Sequence, residues 1–317
     1  MTVKNLLMIF GLSLIVGCSM AAPGSHATAD LKDKDGKTVG KAVLRDTAGG
    51  VVVRHMTSAV IAPVKEAEQP PEPNWWIATP LRLPTAVGLN RVNWDLRADD
   101  PPAFTHSFEI NANPGLTPPS PEGPLVPPGV YTIRLTVAGK SYTQPVTVVN
   151  DPRSPATVAD VRAQYALQTR IVAGMQLSWD GYQQVAAMRA LVAADTALPA
   201  AKAFDSTLAA VGGNADARGG GFGGGFGGGA APAPTFVRVN GNLGNQINSL
   251  ENGDLAPTNA MQRAYVAGCL DLQRVVTTWM GITGAPLAAF NAVLTQHNLK
   301  PISATAPALA ASLCTRS

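Results

Sequence analysis

The sequence predicts an α+β protein: a short β-hairpin, then an antiparallel β-sandwich of the immunoglobulin or fibronectin kind, then a small antiparallel helical bundle. Three observations carry this expectation. Between Asn74 and Arg153 apolar residues alternate with polar ones, the period of strands with one covered face. After Arg153 the apolar spacing changes to three and four, the period of helices that pack on one side. Hydrophobic residues make up 46% of the 317 residues, which excludes a wholly disordered chain. Charged residues are only 14%, and 24 basic against 21 acidic residues form no dense basic run, so nothing points to a nucleic-acid partner.

Residues 1–17 have the form of an export signal. Lys4 precedes the apolar run Leu6–Val16, which is shorter than the roughly 20 residues that cross a bilayer and fits a signal-peptide core. Ile15-Val16-Gly17-Cys18 resembles the lipobox of bacterial lipoproteins, in which the cysteine is lipidated and becomes the first residue. The expected product is a cell-envelope lipoprotein whose partner is the membrane, held through acyl chains on Cys18, because two or more chains anchor stably where one does not. The alternative is an ordinary signal peptide cut near Ala21-Ala22. Cys269 and Cys314 would then sit in an oxidising compartment, where a disulfide between them would tie down the C-terminal tail; two buried thiols are the alternative.

Residues 18–28 read as a tether. In residues 29–62, two strand-like runs flank Asp35-Gly36, a pair suited to a turn with φ > 0 at both central positions, and Val51-Val52-Val53 follows as a short strand. Residues 63–73 hold four prolines and form a linker. In the expected sandwich, residues 74–153, Val92, Trp94 and Leu96 alternate with Arg91, Asn93 and Asp95, and Tyr131, Ile133, Leu135 and Val137 alternate with Thr132, Arg134 and Thr136. Pro145 marks Ser141–Val149 as an edge strand, since proline cannot donate to a ladder. Pro101–Pro128 is a long proline-rich loop between strands.

Thr157 with Asp160 forms a capping-box pattern, and the apolar positions after it predict a helix to about Ala194. Leu198-Pro199 breaks that helix and a shorter one follows to Ala210, so residues 154–210 supply the first bundle helices. Residues 211–234 carry a glycine-phenylalanine run expected to stay disordered, because glycine loses the most chain entropy on ordering. Helical spacing returns at Leu243–Leu250, Thr258–Met280 and Pro286–Leu299 within residues 235–303; residues 304–317 are a tail. Trp179 and Trp279 lie at positions expected in the bundle core.

The sequence carries no complete catalytic or cofactor motif. Gly219, Gly221 and Gly224 match a dinucleotide pattern without a strand before or a helix after them. Gly36-Lys37-Thr38 and Gly139-Lys140-Ser141 lack the upstream glycine of a phosphate loop, where Leu31 and Arg134 stand. Asp33 and Asp35 suggest a calcium loop, but Leu31 and Ala42 occupy its first and last ligand positions. Asp95, Asp99, Asp100 and Glu109 are the acidic cluster of the β region, and two suitably spaced carboxylates hydrolyse glycosides when one has a raised pKa. The simpler expectation pairs Asp95 with Arg91 or Arg97 and leaves the others solvated. Trp75 and Trp76 are candidate carbohydrate-binding residues, since aromatic faces stack on sugars.

Two stretches resemble known families. Gly88–Arg97, Pro128–Pro145 and Asp151-Pro152-Arg153 resemble the C-terminal region of secreted bacterial sortilin-like (VPS10-type, Asp-box) proteins, often labelled glycosyl hydrolases, over about 74–302. The resemblance implies a β-sandwich and helices that follow a β-propeller. No Ser-x-Asp-x-Gly-x-x-Trp Asp-box occurs in this sequence, so no catalytic residue carries over. Ala29–Val53 resembles the first strands of bacterial copper/zinc superoxide dismutases, but His26, His55, His106 and His297 offer no His-x-His spacing for metal. The expected function is a non-catalytic, lipid-anchored exported accessory or interaction module, with no cofactor and with a protein or polysaccharide as possible partner. A truncated glycoside hydrolase or carbohydrate-binding protein is the alternative, and a superoxide dismutase-like protein the further one.

Overall fold

The computed structural model describes residues 14–16, 27–32, 38–44, 51–59, 78, 81–104, 106, 120–193, 198–215, 233–251 and 253–303. Among these residues are six strands, β1 (Leu14–Val16), β2 (Ala27–Lys32), β3 (Thr38–Leu44), β4 (Val51–Arg54), β5 (Gly129–Val137) and β6 (Lys140–Val148). Five helices follow: α1 (Val158–Ala193), α2 (Pro199–Gly212), α3 (Phe236–Leu250), α4 (Asn259–Thr283) and α5 (Ala285–Gln296).

The expected β-sandwich does not form among the described residues. Among the described residues, the strands form one four-stranded sheet in the order β4-β1-β5-β6 and a separate β2-β3 ribbon. β6 is an edge strand, as Pro145 requires, and no residue of it is buried, so it presents no inner face for a second sheet. The segment expected to form a strand at Val92–Leu96 makes no ladder: its one backbone pairing is Leu96 O accepting from Val126 N–H at 2.8 Å, beside a single bridge between Arg97 and Leu125. Its alternation stops where Leu96 turns to φ 62, a left-handed conformation that ends an extended run. Nine prolines between 101 and 128 remove ladder donors from the crossing loop. Side chains satisfy the free carbonyls instead: Trp94 Nε1 donates to Arg97 O at 2.8 Å, and Asn90 Nδ2 to Ala86 O at 2.9 Å.

Local chemistry explains the elements that do form. β2 and β3 pair from Ala27 opposite Leu44 to Lys32 opposite Thr38, around the Asp35-Gly36 position, which lies outside the described residues. Ala138 at φ 49 and Gly139 at φ 77 close the β5-β6 hairpin with both turn residues left-handed, which matches the twist of the strands. At the start of α1, Thr157 Oγ1 accepts from Asp160 N–H at 3.2 Å while the Asp160 carboxylate accepts from Thr157 N–H at 2.9 Å, a reciprocal capping box. Pro199 opens α2, where its missing N–H has no helical partner to lose. Thr235 and Thr258 cap α3 and α4.

Most of the apolar burial lies among the helices. Ile171, Met175, Leu208, Phe236, Leu243, Ile247, Leu272, Trp279 and Leu294 are all sealed from solvent in one cluster drawn from α1 to α5. Each such side chain contributes about 1.5–3 kcal/mol. Among the described residues the β part has a smaller cluster, Val53, Val126 and Tyr131, flanked by Trp94 and by Tyr165 of α1, with Met56, Leu83 and Leu135 buried outside it. The helical half therefore supplies most of the hydrophobic stabilisation, and the sheet leans on it. α1 and α3 come close because position 181 is glycine: a Cβ there would stand 2.4 Å from the Phe236 ring. Trp279 is core as expected, whereas Trp179 is half-buried and stacks on Phe104 at 4.6 Å. The residue range 211–234 expected to be disordered lies partly outside the described residues; α2 runs on to Gly212.

Candidate functional site

The region where charge concentrates is the seam between β4, the segment 95–100, the loop at Glu122-Gly123 and the end of α3. Arg54 closes β4 and donates to Ala98 O at 2.8 Å, while its guanidinium lies 3.5 Å from both Asp95 and Asp100 carboxylates. The next residue, His55, donates its backbone N–H to Asp99 Oδ1 at 2.8 Å, and Asp99 N–H donates to Val53 O at 2.8 Å. Asp100 Oδ1 accepts from Gly123 N–H at 2.8 Å. A Cβ at position 123 would fall 2.1 Å from Ala98 O, so only glycine lets the loop approach this closely.

Arg97 forms the second half of the seam. Its guanidinium donates to Glu251 Oε1 at 2.7 Å and to Gly123 O at 2.9 Å, and lies 3.2 Å from Glu122. Arg97, Glu122 and Glu251 side chains are only 16%, 21% and 18% exposed. Gln168 on α1 adds a hydrogen bond to Glu251 at 3.3 Å. One cation thus joins segment 95–100, the loop and the end of α3.

The electrostatics follow from burial and pairing. Burial disfavours the charged Arg97, but the hydrogen bond and charge of Glu251, with Glu122 and Asp95, outweigh it and raise its pKa. Burial raises Glu122 against the pull of Arg97. Desolvation by neighbouring chain segments likewise holds the Asp99 carboxyl above the usual carboxylate value although the residue keeps an exposed face, and His55 N–H and the Arg54 charge oppose the rise. Asp99 thus binds more protons folded than unfolded between its ordinary value of 3.8 and its raised folded value, so its contribution to stability falls as pH rises through that window. Asp99→Asn keeps an oxygen for His55 N–H and removes the charge. The substituted protein is expected to match the wild type in urea midpoint below pH 3.8 and to exceed it at pH 7; an Asp99→Asn protein less stable than wild type at pH 7 would contradict this.

The sequence-based candidates are dispersed. Asp95, Asp99 and Asp100 do come together, but Asp95 pairs through its side chain with Arg54 and takes only the backbone N–H of Arg97, at 3.0 Å. Glu109, Trp75, Trp76, Cys18 and Cys314 lie outside the described residues. Cys269 on α4 is buried, 2% exposed, and is disulfide-bonded. Sequence reading missed Arg54, Glu122 and Glu251, which lie 25 to 154 residues from the groups they meet, where no local pattern marks them. Among the described residues no three His, Cys, Asp or Glu side chains converge to hold a metal ion.

A second polar cluster ties the proline-rich loop to the helices. Asn240 of α3 is fully buried; its amide donates to Pro102 O at 2.9 Å, Met175 O at 3.2 Å and Ser178 Oγ at 3.2 Å, and its oxygen accepts from Phe104 N–H at 3.3 Å. Phe104 then packs on Trp179 and, edge-on at 4.7 Å, on Tyr182. A shallow cleft of about 320 Å³ between α1 and α2 is lined by Arg189, Lys202 and Asp205, with Arg189 and Asp205 paired at 2.7 Å. No helix among the described residues is long and apolar enough to cross a membrane. No protein-family model matches the chain, and no curated protein or solved structure matches it either.

Proposed function

We propose that this chain is a non-catalytic, exported accessory module, anchored through Cys18 and serving to bind a partner at the cell envelope. The observation that supports this reading most is the use made of the acidic cluster. Asp95, Asp99 and Asp100 are taken up by Arg54 and by backbone N–H groups of His55, Arg97 and Gly123, the chemistry of a clamp that fixes chain segments. The missing Asp-box and the apolar run before Cys18 point the same way. Globomycin treatment and Cys18→Ala should each leave an unprocessed precursor of lower mobility, and the mature protein should fractionate with membranes. Processing of Cys18→Ala to the normal size would refute the anchor.

The raised pKa of Asp99 favours one second reading, a truncated glycoside hydrolase with Asp99 as its acid. Turnover of aryl glycosides that disappears in Asp99→Asn would establish it, and inactivity across such substrates would remove it.

A further inference from the structure

The export reading removes a strand that the sheet uses. β1 lies between β4 and β5 and is antiparallel to both, with Leu14 opposite Arg54 and Ile133, Ile15 opposite Thr132, and Val16 opposite Val51. Cleavage before Cys18 takes β1 away. β4 and β5 then run parallel to each other, two strand spacings apart, about 9.6 Å, with unpaired N–H and C=O groups on the facing edges.

Neither wall of that gap depends on β1 for its position. β4 is held by the acidic clamp: Asp99 N–H on Val53 O, Asp99 Oδ1 on His55 N–H, and Arg54 on Ala98 O. Val53 packs with Val126 and Tyr131 beneath it. β5 is fixed by its full ladder with β6, from Gly129 opposite Val148 to Val137 opposite Lys140, and by the edge-on contact of Tyr131 with Trp94 at 5.7 Å. Closing the gap would break several of these contacts at once.

We propose that, in the processed protein, the slot between β4 and β5 binds one extended strand donated by a partner protein, antiparallel to both walls. The strand is uncharged and apolar or β-branched like Leu14-Ile15-Val16, the segment seated there in the unprocessed chain. The chain's own rival is β3. It is already laddered to β2 along one edge, so bonding both walls would cost the whole β2-β3 pairing. A donated strand brings two free edges and loses nothing comparable. This inference rests on the export reading and supplies the kind of partner which that reading leaves open.

The test uses mature protein purified from the envelope in detergent. Mass spectrometry first reads whether residues 1–17 are gone; their retention would overturn the export reading itself, and the slot with it. On processed protein, a soluble peptide carrying Gly11–Gly17 should slow amide exchange in Val51–Arg54 and Tyr131–Ile133 about tenfold or more and raise Tm. The same peptide with Ile15→Pro should do neither, because proline is excluded from a central strand. A co-purifying polypeptide that already protects both walls, and is displaced by the peptide, would also support the proposal. Protection of both walls in a preparation free of other polypeptides, or no response to the peptide, would overturn it while leaving the export reading intact.

Discussion

Arg97→Ala should lower the unfolding free energy by about 3 kcal/mol, the lower end of the range for breaking a buried ion pair. The reason is what the substitution leaves behind. Glu122 and Glu251, each about one-fifth exposed, would face each other without the cation between them, and Gly123 O would lose its donor. The destabilisation therefore includes repulsion and desolvation as well as lost bonds. Urea unfolding at pH 7 measures it. Glu122→Gln with Glu251→Gln in the Arg97→Ala background should recover a large part, because neutral amides need no counter-charge. A loss under about 1 kcal/mol, the usual ceiling for an exposed pair, or no recovery, would show that Arg97 is a surface residue in effect and that the seam is held by other contacts.

Asn240→Leu should cost a similar amount, about 2–4 kcal/mol, for a different physical reason. The side chain is of similar volume and the site is fully enclosed, so little packing is lost. What is lost is the pairing of Pro102 O and Phe104 N–H, two backbone groups that the loop carries into the helical half. With no partner there, the loop at 101–104 has reason to lift off, and Phe104 with it from Trp179 and Tyr182. Tryptophan emission should shift to the red, and proteolysis near Phe104 should quicken well before global unfolding. A variant that loses stability with unchanged emission and cleavage would mean that the loop is held by Phe104 stacking alone.

These two residues show how unevenly the site was legible. Asp95, Asp99 and Asp100 stand close in sequence, and their convergence could be anticipated. Their purpose could not, because Arg54 lies 41 residues before Asp95 and Glu251 154 residues after Arg97. The expectation that Asp95 pairs with Arg91 or Arg97 chose near neighbours, and the fold supplied a distant one. Asn240 gave no signal at all: a buried asparagine in a helix is recognised only by the carbonyls it meets.

Local residue chemistry was enough to place most helix starts; the exception is α3, which begins at Phe236 behind its Thr235 cap, seven residues before the expected Leu243. Thr157 with Asp160, Thr258 and Pro199 set helix starts within a residue of those observed, because caps and proline act within a few positions of themselves. The fate of the extended segments was settled by long-range contacts alone. A period of two says that a chain is stretched with one covered face; whether it gains a ladder depends on which backbone lies alongside. Among the described residues Val92–Asp95 has no such neighbour, and one left-handed residue with side-chain bonds to carbonyls takes its place. Strand pairing is a choice among donors and acceptors far apart in the chain, so the sandwich expected from alternation gave way to a single sheet resting on a helical core.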